Sequence, residues 1–207
     1  MRIDVRSDIA DIRRRFANVP ERVIKPATVR ALNRAATTVR SEAVKEIRAT
    51  YNLPSKNISS AISIIKATHA RLVATIRASG PRIPLYAFDG KPSYDSFRIL
   101  SDGFRGRSKK SKRKPPRITV RVSKSRGRTV VKGSPELKGS PFIARMRTGH
   151  VGIFQRKSDE RLPIKELFSV DVPSMFAVKR IVNKLEAVGR TRFAVVLRQE
   201  LKFRTVR

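Results

Sequence analysis

Residues 26–51 read PATVRALNRAATTVRSEAVKEIRATY, the longest amphipathic pattern in the chain. Val29, Leu32, Ala36, Val39, Ala43 and Ile47 recur at spacings of three and four, the period of one helix face. Pro26 can open the helix in its first turn, where its missing N–H leaves no bond unmade. The spacing predicts a helix running to about Tyr51, with an alanine-rich stripe that lets a neighbouring helix or sheet approach closely. Arg30, Arg34, Arg40, Lys45 and Arg48 fall largely off the stripe and are expected on a solvated face. Asn52-Leu53-Pro54-Ser55 breaks the helix and caps a short one through Ser59 and Ser60. A helix-turn-helix reading of this pair is disfavoured, because strand patterns follow where a third helix would pack.

Upstream, Val5, Ile9, Ile12 and Phe16 also fall on one helix face, with Ser7 as N-cap and Asp8 in the first turn. Asn18-Val19-Pro20 ends that pattern, so residues 1–20 are expected to form an N-terminal helical arm. Downstream, Ile62, Ile64 and the alternation in RLVATIRASG (71–80) predict a strand pair, with Leu72, Ala74, Ile76 and Ala78 on one face. Pro81, Pro84 and the Ile83-Leu85-Tyr86 group lead out of that pair. Ile118, Val120 and Val122 mark another strand, Ser125-Arg126-Gly127-Arg128 a turn, and Val130 or Val131 the return. FIARMRTGHVGIFQR (142–156) reads as a second hairpin about Gly149. LFSVDV, between Pro163 and Pro173, reads as an extended linker. Ser174 then caps a C-terminal helical region whose buried face carries Phe176, Ile181, Leu185 and Val188, with Gly189 as a candidate kink or break. The expected class is α+β: a small antiparallel sheet packed by the long helix and the C-terminal helical region. Residues 21–207 form one domain in this reading, with a basic loop insertion at about 90–117.

The insertion dominates the electrostatics. In FRGRSKKSKRKPPR (104–117), Arg105, Arg107, Lys109, Lys110, Lys112, Arg113, Lys114 and Arg117 are separated only by Gly, Ser and Pro. No Asp or Glu lies between Asp102 and Glu136. Such a run repels itself and has no apolar face to bury, so it is expected as a solvated loop offered to phosphates or another polyanion. The whole chain leans the same way: 48 Lys and Arg against 16 Asp and Glu give a net charge of +32 over 207 residues. Self-repulsion at that charge works against an isolated compact monomer, and a polyanion or acidic neighbours would offset it. With 40% hydrophobic residues the chain still has material for a core.

Chemistry is poorly represented. Cysteine is absent, which removes disulfides and thiolate ligands and fits assembly in a reducing cytoplasm. His69 and His150 are distant in sequence and neither has a metal-ligand companion at i+4. Asp159-Glu160 is the only adjacent acidic pair, and no phosphate-binding glycine pattern occurs. Neither an enzyme, a cofactor nor a metal site is expected. The N-terminus has no signal-peptide pattern, and no run of residues is apolar enough for a membrane span.

PFIARMRTGHVGIFQRK (141–157), followed by LPIKELFSVDVPSMF (162–176), resembles the C-terminal signature of the minor tail protein Z family of long-tailed bacteriophages. ALNRAATTVRSEAVKEI (31–47) resembles that family's N-terminal helix, and the basic middle tract is similar too. The likeness runs from about Pro26 to Phe203 and is most specific from GHVGIFQR to LPI. It implies a structural virion protein of the tail and neck, made in the host cytoplasm, that completes tails and joins them to heads. It also implies a homo-oligomeric ring, six-fold, on the tail axis. Other tail and neck proteins would be its partners, with DNA or the tape-measure protein against the basic tract. Gly149, His150, Gly152, Phe154, Arg156, Pro163 and Ile164 match the family motif as fold and interface residues, and there are no catalytic residues to carry over. Charge, length and the basic tract alone fit equally well a cytoplasmic nucleic-acid-binding protein of the ribosomal-protein kind, and only the block at 141–173 separates the two.

Overall fold

The alanine-rich stripe is buried as its period requires. In a computed structural model, which describes residues 2–6, 19–92 and 117–205 (for 2–6 and Pro92 the backbone only), helix α1 spans Glu21–Thr50. Leu32, Ala35, Ala36, Val39, Ala43 and Ile47 on it are completely inaccessible to solvent. The helix starts earlier than the sequence suggested. The Pro20 carbonyl accepts from the Val23 and Ile24 N–H groups at 2.9 and 3.2 Å, which opens the first turn there. Pro26 therefore lies inside the helix, where its ring leaves the Arg22 carbonyl without the usual i+4 donor.

The described chain divides into two compact units. The first comprises residues 1–48, 55–81 and 172–207. Besides α1 it holds strand β1 (Arg2–Arg6), the short helix α2 (Ser55–Ser59), and strands β2 (Ile62–Ile65) and β3 (Val73–Ala78). Helices α3 (Val172–Phe176) and α4 (Lys179–Thr205) complete it. The strands form an antiparallel sheet in the order β1-β3-β2. The 62–65 and 73–78 pair was legible; β1 was not. Residues 2–6 pair along β3, from Arg2 opposite Arg77 to Arg6 opposite Val73, whereas Val5 had been read onto a helix face. The remainder of that helical pattern, Ile9, Ile12 and Phe16, lies outside the described residues.

Ala74, Ile76 and Ala78 are buried on β3, as the alternation predicts, while Arg77 is exposed. Polar side chains fix α1 to the strand region. Asn33 Nδ2 donates to the Ala67 carbonyl at 3.1 Å, and its Oδ1 accepts from the Ala67 N–H at 2.7 Å. Arg40 is not a solvated residue as expected: its guanidinium donates to the carbonyls of Ile62 and Ser59, both at 2.9 Å. α4 continues through Gly189, which is buried, so the expected break does not occur.

Ile24, Ala27 and Ala31 of α1 pack with Val196, Leu197 and Leu201 of α4, and Lys184 pairs with Glu46. The two helices therefore run antiparallel. Within this contact Glu200, 6% exposed, takes Arg30 and Arg34 at 3.5 Å and Arg204 at 3.8 Å. Glu200→Gln would leave three guanidinium groups facing one another over a buried amide. A loss on the order of 1 kcal/mol is expected, because the pairs stand at 3.5–3.8 Å without hydrogen bonds and Arg30 and Arg34 are largely exposed. Chemical denaturation would show it as a lower midpoint with an unchanged slope.

The second unit comprises residues 49–54 and 82–171. It holds β4 (Arg82–Pro84), a 3-10 turn at Leu85–Ala87, β5 (Lys91–Pro92), β6 (Ile118–Val120) and β7 (Thr129–Val130). After these come β8 (Lys138–Arg145), β9 (Val151–Arg156), β10 (Ile164–Glu166) and β11 (Phe168–Asp171). The sheets are β10-β9-β8, β11-β4 and β5-β6-β7, every pairing antiparallel. Phe88, Ile143 and Ile153 anchor the core at 0–1% exposure. The LFSVDV segment is not a free linker. Phe168 pairs with Pro84 and Asp171 with Arg82, and the Leu167 N–H and C=O bond to the Ile153 carbonyl and the Leu85 N–H.

Candidate functional site

The described residues on either side of the basic insertion form a short β-ladder. Lys91 on β5 stands opposite Thr119 on β6, and Pro92 opposite Ile118. Arg105, Arg107, Lys109, Lys110, Lys112, Arg113 and Lys114 lie outside the described residues. Arg117 is described and exposed, directly before β6.

On the outward side of the ladder sits an ion cluster that the sequence did not disclose. Arg128 Nη1 donates to Asp89 Oδ2 and Nη2 to the Asp89 carbonyl, both at 2.6 Å. The same guanidinium donates to Thr119 Oγ1 at 3.0 Å and to the Thr119 carbonyl at 2.9 Å. Lys91 Nζ lies 3.1 Å from Asp89 Oδ1. Asp89 takes a left-handed backbone, φ 57°, a conformation that Asp tolerates better than most residues. Burial alone would push its carboxyl up. Hydrogen bonds from Lys91 and Arg128, together with their charges, outweigh that and hold it below the ordinary value. A depressed carboxylate contributes stability above its unfolded pKa and loses it as pH falls through the folded value. Asp89→Asn is therefore expected to melt below wild type at pH 7, with the difference closing as the pH drops below about 4. Thermal melts across a pH series would measure this.

The family-motif residues come together in the β10-β9-β8 sheet. Gly149, with φ +85°, occupies the turn between β8 and β9, a conformation costly for a residue bearing Cβ. The turn is closed by the Met146 N–H to the His150 carbonyl at 2.7 Å and the Gly149 N–H to the Met146 carbonyl at 2.9 Å. Phe142, Phe154 and Glu166 are cross-strand neighbours in one row. The Phe142 and Phe154 rings lie 6.4 Å apart, and Arg156 Cζ sits 5.7 Å from the Phe142 centroid, a cation–π contact.

Glu166 reaches across this face to His150, whose Nε2 is 2.8 Å from Oε1. The His150 ring also meets Phe154 edge-on at 6.3 Å. Gly152 makes this possible: a Cβ there would overlap Glu166 Oε1 and stand 3.0 Å from the Phe154 ring. Pro163, after a cis peptide bond, accepts from the Lys157 N–H at 2.9 Å, and Ile164 pairs with Arg156. On the opposite face Gln155, 3% exposed, donates to the carbonyls of Ser134, Leu137 and Gly139 and accepts from the Ser134 N–H. The motif thus builds a rigid sheet bolted to the 134–139 segment.

The chain matches the family described as prophage minor tail protein Z over residues 12–206. It belongs to that family. The family is one of structural bacteriophage tail proteins, so this minor tail protein is a virion component. Membership decides against the ribosomal-protein alternative that charge and length left open. No curated protein and no solved structure matches the chain. Among the described residues, no three His, Asp or Glu side chains are grouped to hold a metal, and no helix is long and apolar enough to cross a membrane.

Sequence reasoning brought His150, Gly152, Phe154 and Arg156 to one hairpin but missed Glu166, which completes their face, and Gln155, which fastens it. Glu166 carried one weak signal, its position two residues beyond Ile164 in an alternating stretch. Nothing local marked it as the partner of His150.

Proposed function

We propose that this minor tail protein completes the tail at the head–tail junction. It acts there as a ring of identical copies on the tail axis, six-fold in its family's manner, with the tract at 105–117 facing the channel that DNA enters. The observation that carries the reading is the acid-free run from 103 to 135 in a chain of net charge +32 that belongs to a tail-protein family. Fixed positive charge at this density needs a polyanion or acidic neighbours close by. A lumen crossed by DNA supplies the first, and other tail and neck proteins or the tape-measure protein supply the second. The role is assembly, and no chemical step is required of it. Identical copies of charge +32 repel one another unless a polyanion or acidic partners lie between them, so the protein is expected to form its ring on the tail even where dilute solution holds monomers.

A phage carrying a stop codon early in this gene tests the reading. Filled heads and unjoined tails should accumulate in the lysate, and purified protein should restore infectious particles. Joined, infectious virions without the protein would refute it.

A further inference from the structure

Alternation along β6 sorts its residues by face. Ile118 and Val120 are buried at 5% and 4%, while Arg117 and Arg121 on either side are exposed and Thr119 lies between them. Pairing sets Lys91 and Val130 beside Thr119 on the same outward row. Arg128 is held over that row by its four bonds to Thr119 and Asp89. The turn beyond β6 is tightened by Arg121 Nη2 donating to the Lys124 carbonyl at 2.7 Å. Lys124, Arg126 and Lys132 are exposed around this turn and just past β7.

Asp89 at this surface is already engaged by Arg128 and Lys91. Arg117, Arg121, Lys124, Arg126 and Lys132 form no ion pair among the described residues. They flank the strands of a folded sheet: Arg117 and Arg121 lie immediately before and after the three-residue strand β6, Lys124 and Arg126 lie in the turn after it, and Lys132 lies just past β7.

We propose that the outward face of the β5-β6-β7 sheet is a phosphate-contact surface for double-stranded DNA. It is distinct from the basic tract that enters it. Residues 117–141 contain no aromatic, so there is no stacking platform of the kind that binds single strands. Arginine and lysine on a sheet face instead suit the phosphate backbone and read no sequence. This inference rests on the proposed DNA contact and locates its folded part.

The test is titration of the full-length protein into a fluorescein-labelled DNA duplex across roughly 50 to 200 mM salt. Three proteins are compared with wild type. The first carries Arg117→Gln, Arg121→Gln, Lys124→Gln, Arg126→Gln and Lys132→Gln. The second carries Arg117→Lys, Arg121→Lys and Arg126→Lys. The third carries Arg190→Gln, Arg192→Gln, Arg198→Gln and Lys202→Gln on the exposed side of α4. Each engaged phosphate adds about 0.9 to the log–log salt slope, so the first variant should flatten it by about 3 to 4 units. The lysine variant and the α4 variant should keep the wild-type slope, and all should melt as wild type does.

A wild-type slope in the first variant overturns the sheet surface and leaves DNA binding to the tract. Equal flattening by the α4 variant overturns it too, because net charge rather than this face would then govern binding. Loss of binding in the lysine variant overturns it by showing that charge is not the determinant. Failure of the wild-type protein to bind duplex at any of these salts overturns both this inference and the DNA contact on which it rests.

Discussion

Leu32→Asp is expected to yield no folded protein. Leu32 is completely buried on α1 among Ala35, Ala36 and Val39, which are equally inaccessible. Truncating such a leucine costs about 2–5 kcal/mol through lost burial and the cavity left behind. A carboxylate placed there without a partner adds several kcal/mol more, or must be protonated to be tolerated. Domains of this size are stable by only about 5–15 kcal/mol in total, so the folded state should cease to be the major one. Lys45→Asp, at a side chain 73% exposed on the same helix, supplies the control and should stay soluble and folded. Circular dichroism and thermal melting of the two variants check this. Unchanged melting of the Leu32 variant would mean that the stripe does not face a core.

The second large effect belongs to the basic tract. Replacing Lys109, Lys110, Lys112, Arg113 and Lys114 by Gln removes five of its charges and touches none of the buried residues of the described fold. If ~6 to 8 charges engage phosphates in the wild-type protein, its DNA affinity should fall by roughly a thousand-fold or more between low and moderate salt. The variant should lose the tract's share of that dependence and show a clearly flatter slope, while melting as wild type does. In a complementation assay it should also fail to restore infectious particles to a phage lacking the protein. A variant that binds duplex with the wild-type slope and matures virions normally would reduce the tract to a solubility feature or a grip on an acidic protein.

What the sequence disclosed follows from how local each signal is. The α1 stripe was legible because six apolar residues, from Val29 to Ile47, hold a helical period over about five turns. The 62–65 and 73–78 strands and the turn at Gly149 were legible because alternation and a glycine requirement are read within a few residues. Strand β1 was missed because Val5 satisfies two periods at once. Arg2-Ile3-Asp4-Val5-Arg6 alternates as a strand does, while Val5, Ile9, Ile12 and Phe16 space as a helix does, and the pairing with β3 settles residues 2–6 as a strand. The 168–171 segment looked like a linker because its partner, β4, lies more than eighty residues upstream.

Charge partnerships were the least legible part. Asp89 and Arg128 are 39 residues apart, and Glu200 draws two of its arginines from the opposite end of the chain. A lone acid in so basic a sequence has many cations to choose from, and only the fold selects which. The same limit applied to Arg40, whose position off the stripe suggested solvent, although backbone carbonyls of the 59–62 segment claim its guanidinium.

We propose a ring of this minor tail protein at the head–tail junction with its basic tract turned toward DNA. Electron cryo-microscopy of the joined virion tests it most directly. Several copies of the chain are expected around the axis at the junction, with residues 105–117 reaching into the channel. A single copy on the axis, or a ring that carries those residues on its outer wall, would contradict it.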